Sequence, residues 1–301
     1  MARDVLEELL DSLSLERIEE NLFRGPSQDL GWGRVFGGQV LGQALSAARQ
    51  TVPDDRPVHS VHAYFLRVGD VDRPVVYTVD CIRDGRSFTT RRVVAIQHGR
   101  PIFNLSASFQ QVEEGLSHHD EAPEATPPDD LLSERELSQR YLSRLPEAIL
   151  NKIPLLLRER AHAERPIEIR PVAPLDPIRP APRPPRRQVW FRAARSLPDD
   201  LAIHQYLLAY ASDFHFLATS MQPHAVSWMT PGIQSASLDH AMWFHRPFRM
   251  DRWLLYDIHS PSTSGSRGLV HGRFFQDGVL VASAMQEGLV RDLRQNDEVG
   301  K

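Results

Sequence analysis

YLLAYASDFHFL, residues Tyr206–Leu217, sets apolar or small side chains on almost every face of a helix of 3.6 residues per turn: Leu207, Leu208, Tyr210, Ala211, Phe214 and Leu217. A helix that is apolar all round is a buried helix. Asp213 is the one charge inside the run. An earlier stretch, GGQVLGQALSAARQTV at Gly37–Val52, has the same character through Val40, Leu41, Ala44, Leu45, Ala47 and Ala48, and it contains no acid. The pattern predicts buried helices over about Gly38–Val52 and Asp199–Leu217, only the second with a carboxylate.

Both helices are followed by runs that alternate with a period of two. After the first they fall near Val58–Leu66, Val75–Cys81, Thr89–Gln97 and Ile102–Gln110. After the second they fall near Gln234–Phe244, Trp253–His259, Leu269–Phe275 and Val279–Gln286. Both sets turn into their last strand through a matching tripeptide, Gln97-His98-Gly99 and Gln276-Asp277-Gly278, where glycine supplies the positive φ of a tight hairpin. Strands in hairpin order after a buried helix predict an antiparallel sheet wrapped around that helix. The repetition predicts an α+β double hot dog, two tandem repeats with their sheets joined edge to edge. Each repeat opens with a further strand, Ile18–Arg24 and Ile167–Val172. Ser196-Leu197-Pro198-Asp199 reads as the start of the second helix, with serine as cap, proline in the first turn and an acid three residues after the cap.

The stretch between the repeats differs in composition: residues 123–185 hold 13 of the 23 prolines. Leu131–Arg160 reads as one or two helices interrupted at Pro146 and Pro154. RPAPRPPRR, Arg179–Arg187, is too rich in proline for a helix and reads as an extended, solvated crossing rather than a phosphate contact. The division expected is an N-terminal repeat at 1–112, a helical proline-rich linker at 113–164 and a C-terminal repeat at 165–301. A net charge of −4 without a basic stripe of interleaved aromatics argues against nucleic acid. Cys81 is the sole cysteine, which excludes disulfides within the chain and suits a reducing, cytoplasmic setting. MARDVLEELLDSLS reads as an acidic amphipathic helix and not a signal peptide. No apolar run approaches the roughly 20 residues of a membrane span, and the terminal DEVGK is not a Ser-Lys-Leu type address.

Asp213 lies between Ser212 and Phe214, a poor place for a solvated charge, and a buried carboxylate needs hydrogen-bond partners. Two readings stand for it: a general base, or a helix-end aspartate bonded to nearby backbone amides. Gln286 closes the last strand and shares a face with Ala282 and Ala284. It reads either as a donor to a developing oxyanion or an orienter of water, or as a strand-end residue facing solvent. Ser237 shares its strand face with Ser235, Asp239, Ala241 and Trp243, opposite Ala236 and Leu238, and periodicity alone makes it a surface serine. No G-x-S-x-G elbow and no H-E-x-x-H is present, and His118-His119 reads as a solvated pair. No metal or cofactor is expected.

Long blocks in a fixed order resemble the acyl-CoA thioesterase II family, whose fold is the double hot dog. They are LERIEENLFRG (Leu15–Gly25), VFGGQVLGQAL (Val35–Leu45), VHSVHAYFLRVGD (Val58–Asp70), DGRSFTTRRVVAIQHGRPIF (Asp84–Phe103), RQVWFRA (Arg187–Ala193), LPDDLAIHQYLLAYASDF (Leu197–Phe214), LDHAMWFHRPF (Leu238–Phe248) and DGVLVASAMQEGLVR (Asp277–Arg291). The resemblance implies an active site of an aspartate, a threonine or serine, and a glutamine, all from the second repeat. They fall on Asp213 in YASDF, Ser237 five residues after Gly232 in GIQSASLDH, and Gln286 in ASAMQEG. Many members carry threonine at the place of Ser237. Serine keeps the hydroxyl and loses the methyl that narrows its rotamers.

The reaction implied is hydrolysis of fatty acyl-CoA to fatty acid and CoA by water activated at Asp213, Ser237 and Gln286. The acyl chain would lie in an apolar groove between helix and sheet. Arg67, Arg246 and Arg267 are the candidates for CoA phosphates, and backbone amides of the buried helix the candidates for the oxyanion. Hydratases of this fold carry a histidine five residues after their aspartate. Here that position is Ala218, which disfavours an R-specific enoyl-CoA hydratase. A non-catalytic acyl-CoA sensor is the other alternative. Exposed sheet edges need cover, and the family assembles, so a homodimer or homotetramer is expected.

Overall fold

The computed structural model describes residues 4–151, 153 and 155–294; the first three residues, Pro154 and the DEVGK terminus lie outside them. The helices in chain order are α1 (Val5–Leu13), α2 (Gly37–Arg49), α3 (Glu134–Leu142), α4 (Glu147–Leu150), α5 (Leu155–Arg160), α6 (Leu201–Ser212) and α7 (Phe216–Met221). The strands are β1 (Glu16–Glu19), β2 (Leu22–Gly25), β3 (Val58–Phe65), β4 (Val75–Asp84), β5 (Phe88–Gln97), β6 (Arg100–Gln110), β7 (Ile167–Pro171), β8 (Arg186–Ala193), β9 (Ile233–Ser237), β10 (Asp239–Phe244), β11 (Leu254–Ser264), β12 (Arg267–Gln276) and β13 (Val279–Asp292).

Among the described residues these strands form one antiparallel sheet. From the centre outward, each half orders its strands alike: β3-β6-β5-β4-β2-β1 on one side and β10-β13-β12-β11-β8-β7 on the other. The halves join where β3 pairs with β10, with Ala63 opposite His240 and Val61 opposite Met242. The hairpin tripeptides are equivalent in geometry as in sequence. His98 and Gly99 have φ of 49° and 68°, and Asp277 and Gly278 of 51° and 82°, the doubly left-handed pair that matches strand twist. No helix among the described residues is long and apolar enough to cross a membrane.

Four local expectations need correction. Each repeat opens with a hairpin rather than one strand: β1 turns into β2 through Asn21, at φ 59°, and β7 pairs with β8. The proline-rich run hid β8, although Val189, Phe191 and Ala193 alternate inward. The cap of α6 is Asp200, whose Oδ1 accepts from the Ala202 amide at 3.0 Å, and not Ser196. The second core helix is also broken. It ends at Ser212, His215 turns left-handed at φ 64°, and α7 begins at Phe216. The proline-rich segment holds three short helices, α3 to α5, with Pro146 as the N-cap of α4.

The sheet wraps two core helices that pack directly on each other. α2 buries Val40, Leu41, Ala44, Leu45, Ala47 and Ala48, while α6 buries Leu207, Leu208, Ala209, Tyr210 and Ala211. They run antiparallel and approach through glycine. A Cβ on Gly38 would overlap the carbonyl oxygen of Tyr210, and one on Gly42 would lie 3.2 Å from that of Tyr206. α1 lays Leu6, Leu9 and Leu13 under α2.

Gly38→Ala should therefore destabilise the protein, although alanine gains up to ~1 kcal/mol of helix propensity. The overlap is with backbone, which cannot swing aside, and overpacking of this kind costs about 1–3 kcal/mol or more. Gly42→Ala meets mainly the flexible end of Leu13 and should cost less. Urea denaturation midpoints of the two variants test the order.

Candidate active site

The break between α6 and α7 gives Asp213 its position. It is the C-cap of α6, half-buried, with φ −78° and ψ −15°. A carboxylate beside the last carbonyls of a helix faces the negative end of that helix's dipole. The antiparallel partner offsets this. α2 begins at Gly37 after Phe36, a residue without a capping side chain, and the Gly38 N–H donates to Asp213 Oδ2 at 3.1 Å. The first turn of one repeat is thus capped by an aspartate of the other, across 175 positions of sequence.

The other oxygen, Oδ1, accepts from Gln286 Nε2 at 2.7 Å and from Ser237 Oγ at 3.2 Å. The three residues read from the sequence as one site do meet. Asp213 is a helix-end aspartate that accepts from a backbone amide, but the amide belongs to the opposite repeat and not to its own neighbours. A Cβ at Gly37 would lie 2.7 Å from Oδ2 and 3.0 Å from the Phe65 ring, so only glycine lets the backbone come this close to the carboxylate and the ring. Phe36 stacks on Phe214 at 4.5 Å and meets Tyr210 edge-on at 5.3 Å, which makes the surroundings apolar.

Ser237 reaches the interior through a bulge that strict alternation does not foresee. β9 and β10 pair with the same strand, Ser237 opposite Gly288 and Ala241 opposite Met285. Four steps on one strand face three on the other, so one residue is extra and the inward parity switches. Before the bulge the more sheltered side is Ile233, Ser235 and Ser237; after it the buried residues are His240, Met242 and Phe244. Ser237 therefore does not share a face with Trp243, and the surface reading of this serine is corrected.

Gln286 is fully buried and its Oε1 has no partner among the described residues. Its Nε2 also lies 3.1 Å from His240 Nδ1, and His240 Nε2 lies 2.9 Å from Ser212 Oγ. His240 is fully buried, and desolvation holds its pKa down at about 4 against the raising influence of Asp213, so the ring is neutral. His240 stands inside LDHAMWFHRPF, but nothing in its local pattern distinguishes it from a core histidine. Gly38 and His240 are the site neighbours that sequence reasoning missed.

The proline-rich segment also reaches the site. His215, two residues beyond Asp213, brings Nε2 within 3.0 Å of Glu134 Oε1 on α3, and Arg165 donates to Glu134 Oε2 at 2.6 Å. Of the expected phosphate partners, Arg267 pairs with Glu287 at 2.9 Å. Arg67 donates to the Pro101 carbonyl, and Arg246 to the Leu280 and His118 carbonyls and the Ser117 hydroxyl. Gln39 and Gln43 in the first helix spend their amides on the entering loop and on Tyr77: Nε2 of both donates to the Pro26 carbonyl, and the Tyr77 hydroxyl donates to Gln43 Oε1. No group of three metal-ligating side chains occurs among the described residues.

Burial alone would push the Glu134 carboxyl up. The facing His215, Arg165 and Arg187 instead pull it from 4.5 to about 2. A carboxylate depressed on folding contributes stability that is fully present above its unfolded value and lost as the pH falls toward the folded one. Glu134→Gln should flatten the acid limb of the stability curve between about pH 4.5 and 2. Equilibrium unfolding as a function of pH measures it.

Two family models match the chain: acyl-CoA thioesterase N-terminal domain over residues 26–110, and acyl-CoA thioesterase over residues 156–289. Acyl-CoA thioesterase 2 of Haemophilus influenzae is 43% identical over 289 residues, covering 96% of this chain and 98% of that protein. Human acyl-coenzyme A thioesterase 8 is 45% identical over 283 residues, covering 93% and 87%. Among solved structures, acyl-CoA thioesterase II TesB2 from Mycobacterium marinum superposes with a TM-score of 0.75 at 43% identity, covering 95% of this chain and 98% of that one. The dehydratase domain of PpsC from Mycobacterium tuberculosis, at 14% identity and a TM-score of 0.51, shares the fold alone.

Proposed function

The chain belongs to the acyl-CoA thioesterase family, and from that premise we propose that it hydrolyses fatty acyl-CoA with Asp213 as general base and Ser237 and Gln286 as its partners. That it is an acyl-CoA thioester hydrolase follows from the membership. The assignment of roles is supported above all by one observation: Gln286 Nε2 and Ser237 Oγ converge on the same oxygen, Asp213 Oδ1, at 2.7 and 3.2 Å.

Both hydrogen bonds hold Oδ1, while Oδ2 takes the Gly38 N–H at the first turn of α2. A water hydrogen-bonded to Asp213 presents a lone pair to the thioester carbon. The water oxygen bonds to that carbon while its proton passes to Asp213. Charge then develops on the carbonyl oxygen, which the positive end of α2 favours. The tetrahedral species breaks its C–S bond, and the departing sulfur takes the proton back from Asp213, giving free acid and CoA. No acyl-enzyme is needed, because Ser237 has no base-paired partner other than the carboxylate that uses the water. Phe36, Phe65 and Phe214 beside the site suit the apolar end of a fatty acyl chain. Of the three arginines considered for CoA, Arg67 and Arg246 have no carboxylate partner among the described ion pairs, which favours them over Arg267. The division at 1–112, 113–164 and 165–301, a cytoplasmic location and assembly as a homodimer or homotetramer complete the reading.

Asp213→Asn keeps the size of the side chain and removes the base. Turnover of palmitoyl-CoA, followed by release of CoA thiol, should fall about 10²- to 10⁴-fold with the circular dichroism spectrum unchanged. A folded variant with wild-type turnover would refute the assignment, and an equally bound but unhydrolysed substrate in the wild type would favour a sensor.

Ser237→Ala and Ser237→Thr should diverge. Alanine removes the donor to Oδ1 and should lower kcat about tenfold or more, whereas threonine restores the hydroxyl with a narrower choice of rotamers and should keep most activity. Steady-state kinetics on the pair decides it; equal rates in wild type and the alanine variant would remove Ser237 from the site.

A further inference from the structure

We propose that His240 is a positioning residue: its Nδ1 accepts one N–H of the Gln286 amide, fixing that amide so that its other N–H holds Oδ1 of the general base Asp213. The inference rests on the roles given above to Asp213 and Gln286.

The argument is an accounting of protons. The Gln286 amide nitrogen has two N–H groups and two neighbours, Asp213 Oδ1 at 2.7 Å and His240 Nδ1 at 3.1 Å. The carboxylate can only accept, so the nitrogen of the amide, and not its oxygen, belongs on that side. Nδ1 must then offer a lone pair. A neutral imidazole with a bare Nδ1 carries its proton on Nε2, and that proton points to Ser212 Oγ at 2.9 Å. The serine hydroxyl has a fixed direction in turn: it donates to the Ala209 carbonyl at 2.8 Å, and a carbonyl only accepts. A one-way chain thus runs from Gln286 N–H to His240, from His240 N–H to Ser212, and from Ser212 O–H into the last turn of α6. It ends on a group that cannot reverse.

The surroundings hold the chain in place. His240 and Ser212 are fully buried, and the Phe216 ring meets the imidazole at 5.6 Å. The Met242 sulfur lies 3.4 Å from Ser212 Oγ, and the Tyr256 hydroxyl donates to the Ser212 carbonyl at 3.0 Å. The nearest charge is Asp213. Burial keeps the imidazole neutral, as an acceptor at Nδ1 requires. The alternative orientation of the amide would turn Oε1 toward two acceptors, the carboxylate and the Nδ1 lone pair, and would leave the N–H groups in the place of the unpartnered oxygen. Asp213 Oδ1 would then face an acceptor in place of the donor that holds it at 2.7 Å.

The ring nitrogens can be replaced separately. Asparagine at position 240 sets an acceptor near the place of Nδ1, while glutamine reaches the place of Nε2 and loses the acceptor. With palmitoyl-CoA and full-length protein, His240→Gln should lower kcat about 10²-fold at nearly unchanged KM. His240→Asn should recover to within about tenfold of wild type. In a Gln286→Ala background, His240→Gln should add no more than about a twofold loss. Equal losses in the two His240 variants would overturn the inference, as would wild-type kcat in His240→Gln or independent, multiplying losses in the double variant. If Gln286→Ala alone keeps wild-type turnover, the role of Gln286 fails and this inference with it; a loss in Gln286→Ala with multiplying effects sinks the His240 role only. Should the His240 variants not fold, Ser212→Ala leaves the Nε2 proton without its acceptor and frees the tautomer. An approximately tenfold lower kcat at constant KM supports the chain, and an unchanged kcat refutes it.

Discussion

The whole arrangement depends on the meeting of two helix ends. Asp213 stands at the negative end of α6, where its own helix disfavours a charge, and the first turn of α2 arrives antiparallel with an uncapped amide. Each supplies what the other lacks. A helix end contributes about 0.3–1 kcal/mol to an opposite charge at the surface and up to ~2 kcal/mol when partly buried. A hydrogen bond to a charged group adds about 1.5–3 kcal/mol. The contact requires backbones close enough that only glycine fits at position 38. The carboxylate side chain and its backbone donor come from different repeats, so the site belongs to the pair.

The same pairing explains why a duplicated scaffold carries one such site. The helix pair has a second end, where α2 finishes. There the Thr51 carbonyl, two residues past α2, is met by a cation rather than by an acid. Arg91, 2% exposed, donates from Nε to Thr51 Oγ1 and from Nη2 to the Thr51 carbonyl, both at 2.9 Å, and pairs with Asp84 at 2.7 Å. A guanidinium at a helix C-terminus is electrostatically favourable without help from the other repeat. One end of the pair is therefore closed by a large satisfied cation, and the other is held by a small acid packed against glycine.

The repeat was legible because its signals are local. All-apolar helices, period-two strands and the two Gly-closed hairpins each announce themselves within a dozen residues. What stayed hidden was not local. The break after Ser212 uses neither proline nor glycine; it rests on His215 taking a left-handed conformation that asparagine, aspartate or histidine tolerate better than most. The bulge at Leu238 inserts one residue into a strand whose alternation continues on both sides, so counting by twos assigns Ser237 to the wrong face. The Gly38 contact joins positions 175 apart, and no reading of either helix alone contains it. Asp213 and Gln286 could be picked out through long blocks of family resemblance, whereas His240, inside one of those blocks, has the local pattern of an ordinary core residue.

The proline-rich segment completes the account of how the Asp213 turn is held. Along its course it is fastened to the second repeat. Arg246 and Arg273 bond Ser117, His118 and Asp120, Gln188 and Trp190 donate to the carbonyls of Glu124 and Thr126, and Arg170 donates to Pro128. It then enters α3 through a capping box in which Ser133 and Glu136 satisfy each other's backbone amides. That cap aims Glu134, in the first turn, at His215. The acid sits in the first turn of a helix, and His215, Arg165 and Arg187 around it favour its charged form. The left-handed turn from Asp213 to His215 is consequently gripped at both ends, by the α2 amide on the carboxylate and by α3 on the imidazole. A turn that costs backbone strain persists only where its surroundings over-determine it, and here those surroundings come from the first repeat and the connecting segment together.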